Sequence, residues 1–188
     1  MKKLFFGVTL LTVIIACKKT DSPVTGNKSN DRTEVSPDPE GKVKDFEKAL
    51  PVLNEDKVAE LLKTKDNDTL YVTNFFATWC GPCMIEIPYF KQEMEKMKGE
   101  KVKFTFVSVD QPDDWDTKVK EFGNIQGLSS QIVLFDMTKA SPEFAKNNTK
   151  SWQGDAIPFT RITKGNQVDE KVGTLSHEEM QSKLKAFK

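Results

Sequence analysis

The chain has 188 residues, with 28 Lys or Arg and 28 Asp or Glu, so its formal net charge is zero. This balance leaves no positive excess for phosphates or an anionic lipid surface, and we expect no nucleic-acid partner. The length is that of one ordinary domain with short flanking segments. Cysteine occurs at positions 17, 80 and 83, and the last two are too close in sequence to close a loop of any size. Cys80 and Cys83 therefore look like a working pair rather than a structural bridge.

The N-terminus has the composition of an export signal. Two lysines precede an apolar run over residues 4–16, which is too short to span a bilayer comfortably. The run ends in an Ile-Ile-Ala sequence followed by Cys17, which resembles the lipobox of bacterial lipoproteins, where the cysteine is acylated and becomes the first mature residue. We predict a lipoprotein signal peptide over residues 1–17 and a lipid anchor at Cys17. An ordinary secretory signal, or an uncleaved anchor with an incidental cysteine, is the alternative.

Residues 18–42 contain mainly Ser, Thr, Asp, Asn, Pro, Gly and Lys, with almost no apolar side chains. Such a composition buries too little surface to offset the entropy of ordering the chain, so we predict a flexible tether here. Apolar periodicity begins near Val43. We therefore predict one folded domain over residues 43–188.

The first half of this domain predicts helices on either side of a buried strand. Asn54 is a suitable N-cap for a helix over about residues 55–64, with acids in the first turn and apolar residues at helical spacing after them. Residues 70–77 are rich in β-branched and aromatic residues, as in a strand buried on both faces. Residues 83–98 carry an apolar stripe at helical spacing, and Gly99 ends this helix, whose first turn carries the cysteines.

The middle of the chain predicts a second apolar strand over residues 102–109 and a short amphipathic helix over residues 114–122. Residues 131–135 predict a further strand. The order of strand, helix, strand and helix implies a parallel core.

The last part predicts a helix, a hairpin and a closing helix. Ser141 is a suitable N-cap, with proline at the first helical position, for a helix to about residue 148. Residues 159–163 and 167–172 flank a Gly-containing turn and predict a β-hairpin. Ser176, with glutamate three residues later, has capping-box spacing and opens a final helix.

Cys80 and Cys83 lie in the sequence Trp-Cys-Gly-Pro-Cys, at the junction of the predicted strand and helix. The unpaired N–H groups and the dipole at a helix N-terminus favour an anion, so we expect them to stabilise the Cys80 thiolate. Cys83, one turn further along, is placed to attack a mixed disulfide at Cys80 and release the substrate. Cys80 is therefore the predicted nucleophile and Cys83 the resolving cysteine.

This pentapeptide closely resembles the active-site motif of the thioredoxin superfamily. With Asn-Phe-Phe-Ala-Thr at residues 74–78 before it and Pro88 after it, it resembles in particular the exported TlpA-like and ResA-like thiol–disulfide oxidoreductases, and the resemblance covers about residues 52–188. It implies an α/β, thioredoxin-like fold with a central mixed sheet flanked by helices. It also implies a TlpA-type helix–strand insertion between the Val-Ser-Val-Asp sequence that ends at Asp110 and residues 156–158.

The resemblance also implies roles for residues around the cysteines. Pro158 would be a cis-proline beside the active site, although X-Pro bonds in general are mostly trans. The backbone of Ile157 would then meet an extended substrate segment, and Trp79 would cap the dithiol and contact the substrate. Glu86 matches a glutamate in the active-site helix of the family and would exchange protons with the resolving cysteine; a solvated helix glutamate is the alternative. Asn74 stands where thioredoxin has a buried aspartate, which favours the exported branch.

These features predict a protein-disulfide reductase that acts outside the cytoplasm on protein clients, with apocytochrome thiols of cytochrome c biogenesis as one candidate. The Gly-Pro dipeptide between the cysteines matches that of thioredoxin, a reductant. An exported compartment is oxidising, so a membrane partner has to supply electrons. We expect a monomer without a cofactor, lipid-anchored in the cell envelope of a bacterium, on the periplasmic side or at the outer membrane.

Other functions for the cysteine pair remain as alternatives. An exported thiol oxidase shares the motif, and a non-catalytic thioredoxin-like module could use the soft cysteine pair to bind copper, or could bind a partner protein. Structural zinc is disfavoured because it prefers four N or S ligands, and covalent haem needs a histidine where Met84 stands. We expect Trp115 and Trp152 to be packing residues and His177, in the first turn of the last helix, to be solvated.

Overall fold

The computed structural model describes residues 49–187, so the predicted signal peptide, the tether and Cys17 lie outside the described residues. The helices and strands follow one another as α1 (Glu55–Leu62), β1 (Leu70–Phe76), α2 (Gly81–Lys96), β2 (Val102–Ser108), α3 (Lys120–Gln126), β3 (Ile132–Leu134), α4 (Phe144–Asn148), β4 (Phe159–Lys164), β5 (Gln167–Val172) and α5 (His177–Lys185). Short turns of 3-10 helix (Pro112–Asp114 and Met137–Lys139) and of π-helix (Trp115–Val119) lie before α3 and after β3.

Within residues 49–187 the strands form a five-stranded mixed sheet in the order β3-β2-β1-β4-β5. β1 pairs in parallel with β2 and antiparallel with β4, while β3 extends the parallel side and β5 the antiparallel side. β1 is therefore the central strand, and all its residues except Tyr71 are buried. The predicted central mixed sheet is confirmed, and α3, β3 and α4 between β2 and β4 supply the implied helix–strand insertion.

Helices cover both faces of the sheet. On one face an apolar cluster joins Phe76 of β1 to Phe90 of α2 and to residues of α5. On the other face a second cluster joins Phe75 of β1 to Leu62 of α1 and Phe144 of α4. The end of β1 is therefore packed from both sides immediately before the cysteines, as expected for a strand without a solvent-facing side.

Two helix caps and one hairpin turn are present as predicted. The side chain of Asn54 caps α1 by accepting a hydrogen bond from the Lys57 N–H at 3.0 Å. The Ser176 hydroxyl oxygen caps α5 by accepting from the Glu179 N–H at 3.1 Å. β4 turns into β5 at Gly165, whose φ of 53° lies in the left-handed region that glycine tolerates best.

The start of α4 differs from the prediction. The helix begins at Phe144, and Ser141 is not its N-cap. Instead the Ser141 N–H and hydroxyl donate to the carboxylate of Glu55 at 2.8 and 2.5 Å, and these hydrogen bonds lower the pKa of Glu55. A distant acceptor on α1 has therefore displaced the local capping interaction.

The helix predicted over residues 114–122 also differs. It starts with a π turn over Trp115–Val119 and continues as α3 to Gln126, beyond the predicted end. Gly127, with a φ of 68°, provides the C-cap. The strand predicted over residues 131–135 is confirmed, but the observed β3 covers only Ile132–Leu134. It lies at the edge of the sheet.

Candidate active site

Cys80 and Cys83 lie where β1 passes into α2, and they form a disulfide with their Cα atoms 5.3 Å apart. Cys80 is the N-cap of α2, and its sulfur accepts a hydrogen bond from the Cys83 N–H at 3.2 Å. Pro82 suits this first turn because it has no N–H group to leave unpaired. The N-terminus of α2 therefore faces the Cys80 sulfur, where its N–H groups and dipole favour a thiolate.

The two cysteines differ in accessibility. Both are buried in the disulfide, but Cys80 is 4% exposed and Cys83 is 0% exposed, so the small accessible area of the pair belongs to Cys80. Trp79, directly before Cys80, is 67% exposed, and Ile85 on the first turns of α2 is 59% exposed. The exposed indole of Trp79 is available for contact with a substrate, although that contact stays a prediction.

The peptide bond between Ile157 and Pro158 is cis, which confirms the expectation drawn from the family resemblance. Pro158 directly precedes β4, whose first residue, Phe159, pairs with Phe75 on β1. Because β1 ends just before the cysteines, this pairing brings the Ile157–Pro158 segment to the same edge of the sheet. Ile157 packs against the apolar cluster that contains both cysteines. Contact of these two residues with a substrate stays a prediction.

Two buried side chains hold the segment that leads to the cis-proline. The indole of Trp152 is buried against aromatic neighbours, and its N–H donates to the carbonyl of Ala156 at 2.7 Å. Glu170 on β5 accepts hydrogen bonds from the Ser151 N–H and hydroxyl at 2.7 and 2.9 Å. The expectation that Trp152 is a packing residue is confirmed, but it also fixes the backbone next to Ile157.

Glu86 lies one turn after Cys83 on α2 and is 0% exposed, so the alternative of a solvated helix glutamate is wrong. Its carboxylate accepts hydrogen bonds from the Asn74 side chain at 2.8 Å and from the Leu175 N–H at 2.9 Å. Burial raises the pKa of Glu86 to about 7, although the hydrogen bonds from Leu175 and Asn74 act to lower it. A carboxyl group with this pKa can gain or lose a proton near neutral pH.

Asn74 links three elements beneath the active site. Its side-chain NH2 group, on β1, donates to Glu86 on α2 at 2.8 Å and to the Thr160 hydroxyl on β4 at 3.0 Å. Its side-chain carbonyl oxygen is buried and has no hydrogen-bond partner among residues 49–187. Asn74 therefore orients Glu86 but cannot itself exchange a proton, unlike the aspartate that thioredoxin has at this place.

Asp110 is a buried residue of the site that the sequence singled out only as part of the family resemblance. Its carboxylate accepts hydrogen bonds from the Thr78 hydroxyl at 2.6 Å and from the Thr78 N–H at 3.0 Å, in the loop that leads to Cys80. The sequence could have indicated Asp110 by its position just after β2, the parallel neighbour of β1. The carboxyl ends of parallel strands meet at one edge of a sheet, so a side chain there lies close to the loop that follows β1.

The prediction of a solvated His177 is only partly right, because the side chain is half-buried. Its ring stacks on Tyr89, with centroids 5.0 Å apart, and its Nε2 lies 3.0 Å from the Glu93 carboxylate on α2. Burial acts to raise the pKa of Glu93, but hydrogen bonds from Lys96, Gln181 and His177 together lower it. These contacts fasten α5 to the active-site helix.

Two further properties concern only the described part of the chain. Between residues 49 and 187, no three His, Cys, Asp or Glu side chains are grouped so that they could hold a metal ion. In the same range, no helix is long and apolar enough to cross a membrane.

Comparisons with known proteins agree with this geometry. The profile of the AhpC/TSA family matches residues 39–158. A thioredoxin from Coprinus comatus is 33% identical over 90 residues, which are 48% of this chain and 81% of that protein. The thiol-disulfide oxidoreductase ResA of Bacillus anthracis is 34% identical over 61 residues, which are 32% of this chain and only 34% of ResA. The crystal structure of a thioredoxin-related protein from Neisseria meningitidis serogroup B shares the fold, with a TM-score of 0.50 and 21% identity over 64% of this chain and 86% of that one.

The raised pKa of Glu86 makes stability depend on pH. The folded state binds the Glu86 proton up to a pH of about 7, whereas a glutamate in the unfolded chain loses its proton near 4.5, so the folded protein holds more protons between these values. Stability is therefore expected to fall as the pH rises from about 4.5 to about 7, by up to about 3 kcal/mol from this group.

Urea unfolding of the oxidised protein at pH 5 and at pH 7.5 measures this change. Glu86→Gln is the matched control because its side chain cannot ionise. Its unfolding free energy is expected to change much less between pH 5 and pH 7.5 than that of the wild type. An equal pH dependence in the wild type and in Glu86→Gln would show that Glu86 ionises normally.

Proposed function

Since this chain belongs to the AhpC/TSA family of the thioredoxin superfamily and is a thiol–disulfide oxidoreductase with the redox pair Cys80–Cys83, we propose that it reduces disulfides of client proteins outside the cytoplasm. The observation that carries the proposal is the unequal placement of the two sulfurs. Cys80 is at the N-terminus of α2 and is the more accessible cysteine, and Cys83 is fully buried one turn further along. This is the arrangement that a nucleophile and a resolving cysteine require.

The proposed reaction is two successive thiol–disulfide exchanges. The Cys80 thiolate attacks one sulfur of the client disulfide, which breaks that bond, forms a mixed disulfide and releases the other client sulfur as a thiolate. The deprotonated Cys83 then attacks the Cys80 sulfur, forms the Cys80–Cys83 disulfide and releases the second client thiolate. Two electrons pass from the dithiol to the client.

Glu86 is proposed to take the proton that Cys83 gives up in the second exchange. It lies one turn from Cys83 on α2, so the two side chains share a helix face. Its pKa of about 7, raised by burial, matches a group that accepts a proton near neutral pH and returns it later.

Reduction is the proposed direction because the Gly81-Pro82 dipeptide is the one found in thioredoxin, which is a reductant. A membrane electron donor would keep the pair reduced in an oxidising compartment. The opposite direction, thiol oxidation, and a redox-silent module that binds copper or a partner are the outcomes that a measurement of the potential would distinguish.

The proposed location is the bacterial cell envelope. The apolar run over residues 4–16 and the lipobox that ends at Cys17 support a lipid anchor, with residues 18–42 as the tether. The resemblance to exported TlpA-like and ResA-like proteins supports the same location. Within that compartment the proposed clients are proteins with exposed disulfides. A disulfide between the cysteines of an apocytochrome, which reduction would return to thiols, is one candidate. The protein is proposed to act as a monomer.

The roles of the two cysteines are tested by trapping. Cys83→Ser is expected to accumulate a mixed disulfide between Cys80 and a client, because the resolving thiol is missing. Cys80→Ser is expected to trap nothing, because Cys83 has no accessible area and is not the N-cap of α2, where a thiolate is stabilised. Non-reducing gels and mass spectrometry of adducts from cells that express each full-length variant measure this, with the Cys80→Ser/Cys83→Ser double variant as the control. Equal trapping by the two single variants would contradict the assignment.

The lipid anchor is tested by Cys17→Ser. This variant lacks the thiol that would be acylated, so it is expected to leave the membrane fraction and to lose label from a radioactive fatty acid. Cys83→Ser, which keeps Cys17, is the control and is expected to remain with the membranes. If Cys17→Ser still fractionates with membranes, the proposed lipoprotein anchor is refuted.

A further inference from the structure

Asp110 carries a carboxylate that is buried without a charged partner. The residue is 1% exposed, and its side-chain oxygens accept hydrogen bonds from the Thr78 N–H at 3.0 Å, the Thr78 hydroxyl at 2.6 Å and the Ser108 hydroxyl at 2.8 Å. The Trp115 indole N–H donates to the Asp110 carbonyl at 2.8 Å and so fixes its backbone. Over residues 49–187, no Lys, Arg or His forms an ion pair with Asp110. Its negative charge is therefore balanced by neutral donors alone.

The sheet brings this charge to the dithiol. Thr78 lies in the loop between β1 and α2, two residues before Cys80. The parallel register pairs Phe76 with Ser108, so the loop after β2 runs beside the loop that holds Cys80. The Asp110 carboxylate therefore contacts the loop two residues before Cys80, and a charge in a buried, weakly polarisable environment acts on its surroundings more strongly than it would in water.

A buried negative charge here disfavours the reduced pair. Opening the disulfide creates a thiolate at Cys80, which a nearby carboxylate repels, whereas the closed disulfide is uncharged. The N-terminus of α2 acts in the opposite direction, because it stabilises the same thiolate. A dithiol whose reduced form is less stable gives up its electrons more readily.

We propose that Asp110 is a positioning residue that fixes the loop in front of Cys80 and, through its buried charge, makes the Cys80–Cys83 dithiol a stronger reductant. The inference rests on the proposed function and deepens it. It identifies a residue that keeps the reduction potential of the pair low, whereas the N-terminus of α2 raises this potential by stabilising the thiolate.

The test is the equilibrium of the full-length protein, in detergent, with glutathione. Two glutathione thiols give two electrons to the protein, the Cys80–Cys83 bond breaks, and a bond forms between the two glutathione sulfurs. One of their two protons goes to Cys83 and the other to the buffer, since Cys80 is left as a thiolate. Asp110→Asn keeps the shape of the side chain and an oxygen that can accept from Thr78, but removes the charge. Its equilibrium constant for reduction is expected to rise about threefold to tenfold, and tenfold corresponds to about 30 mV.

A second variant predicts a change of opposite sign. Thr78→Val keeps the backbone N–H but removes the hydroxyl that donates to Asp110, so the charge is less well balanced. Its equilibrium constant for reduction is expected to fall. The opposite signs separate electrostatics from a merely structural role, which would lower the stability of both variants without moving their potentials in opposite directions.

Asp136→Asn is the matched control. Asp136 likewise accepts hydrogen bonds from a threonine N–H and hydroxyl, those of Thr138 at 3.1 and 2.5 Å, although it also pairs with Lys139 at 3.1 Å. It follows β3, however, which is separated from β1 by β2. Its equilibrium constant is expected to equal that of the wild type.

Each result decides between the two proposals. An unchanged or lower constant in folded Asp110→Asn, or shifts of the same sign in Asp110→Asn and Thr78→Val, would overturn the inference while leaving the reductase proposal standing. If Asp110→Asn does not fold, as circular dichroism would show, the sign of the Thr78→Val shift decides. A wild-type pair that exchanges no electrons with glutathione would instead refute the proposed function.

Discussion

The parallel ladder between β1 and β2 holds the carboxyl ends of both strands side by side, and the arrangement of the site depends on this register. The end of β1 places Cys80 at the N-terminus of α2, and the end of β2 places Asp110 against the loop that precedes Cys80. The antiparallel pairing of β1 with β4 brings Pro158 to the same edge. Because β1 is buried on both faces, a shift of one residue would move its side chains to the wrong cluster, so the register is strongly specified.

Two opposing electrostatic effects act on the dithiol. The N–H groups at the start of α2 favour a thiolate at Cys80. The buried carboxylates of Asp110 and Glu86 act against this thiolate when they are charged, and the two groups differ in what their surroundings do to them. Hydrogen bonds from Thr78 hold Asp110 against the loop, whereas burial raises the pKa of Glu86 to about 7 and lets it exchange protons. The reduction potential of the Cys80–Cys83 pair reflects the balance of these effects.

Much of the fold and the core of the site followed from short-range patterns. The cysteine motif, the helix cap at Asn54 and the hairpin at Gly165 depend on residues close in sequence, and all are present in the structure. The failures concern partners far apart in the chain. Ser141 bonds to a glutamate on α1 instead of capping α4, and His177 is packed against Tyr89 and Glu93 instead of being fully solvated. Such pairings depend on how the helices pack, which one sequence does not reveal.

Whether the chain reduces disulfides depends on the reduction potential of the Cys80–Cys83 pair, which can be measured on the protein itself. The full-length protein is equilibrated with dithiothreitol or glutathione buffers, and its free thiols are then alkylated and counted. A disulfide reductase is expected to have a potential near or below about -250 mV, close to the value of about -270 mV for thioredoxin. A value near about -120 mV, which is typical of a dedicated thiol oxidant, would contradict it.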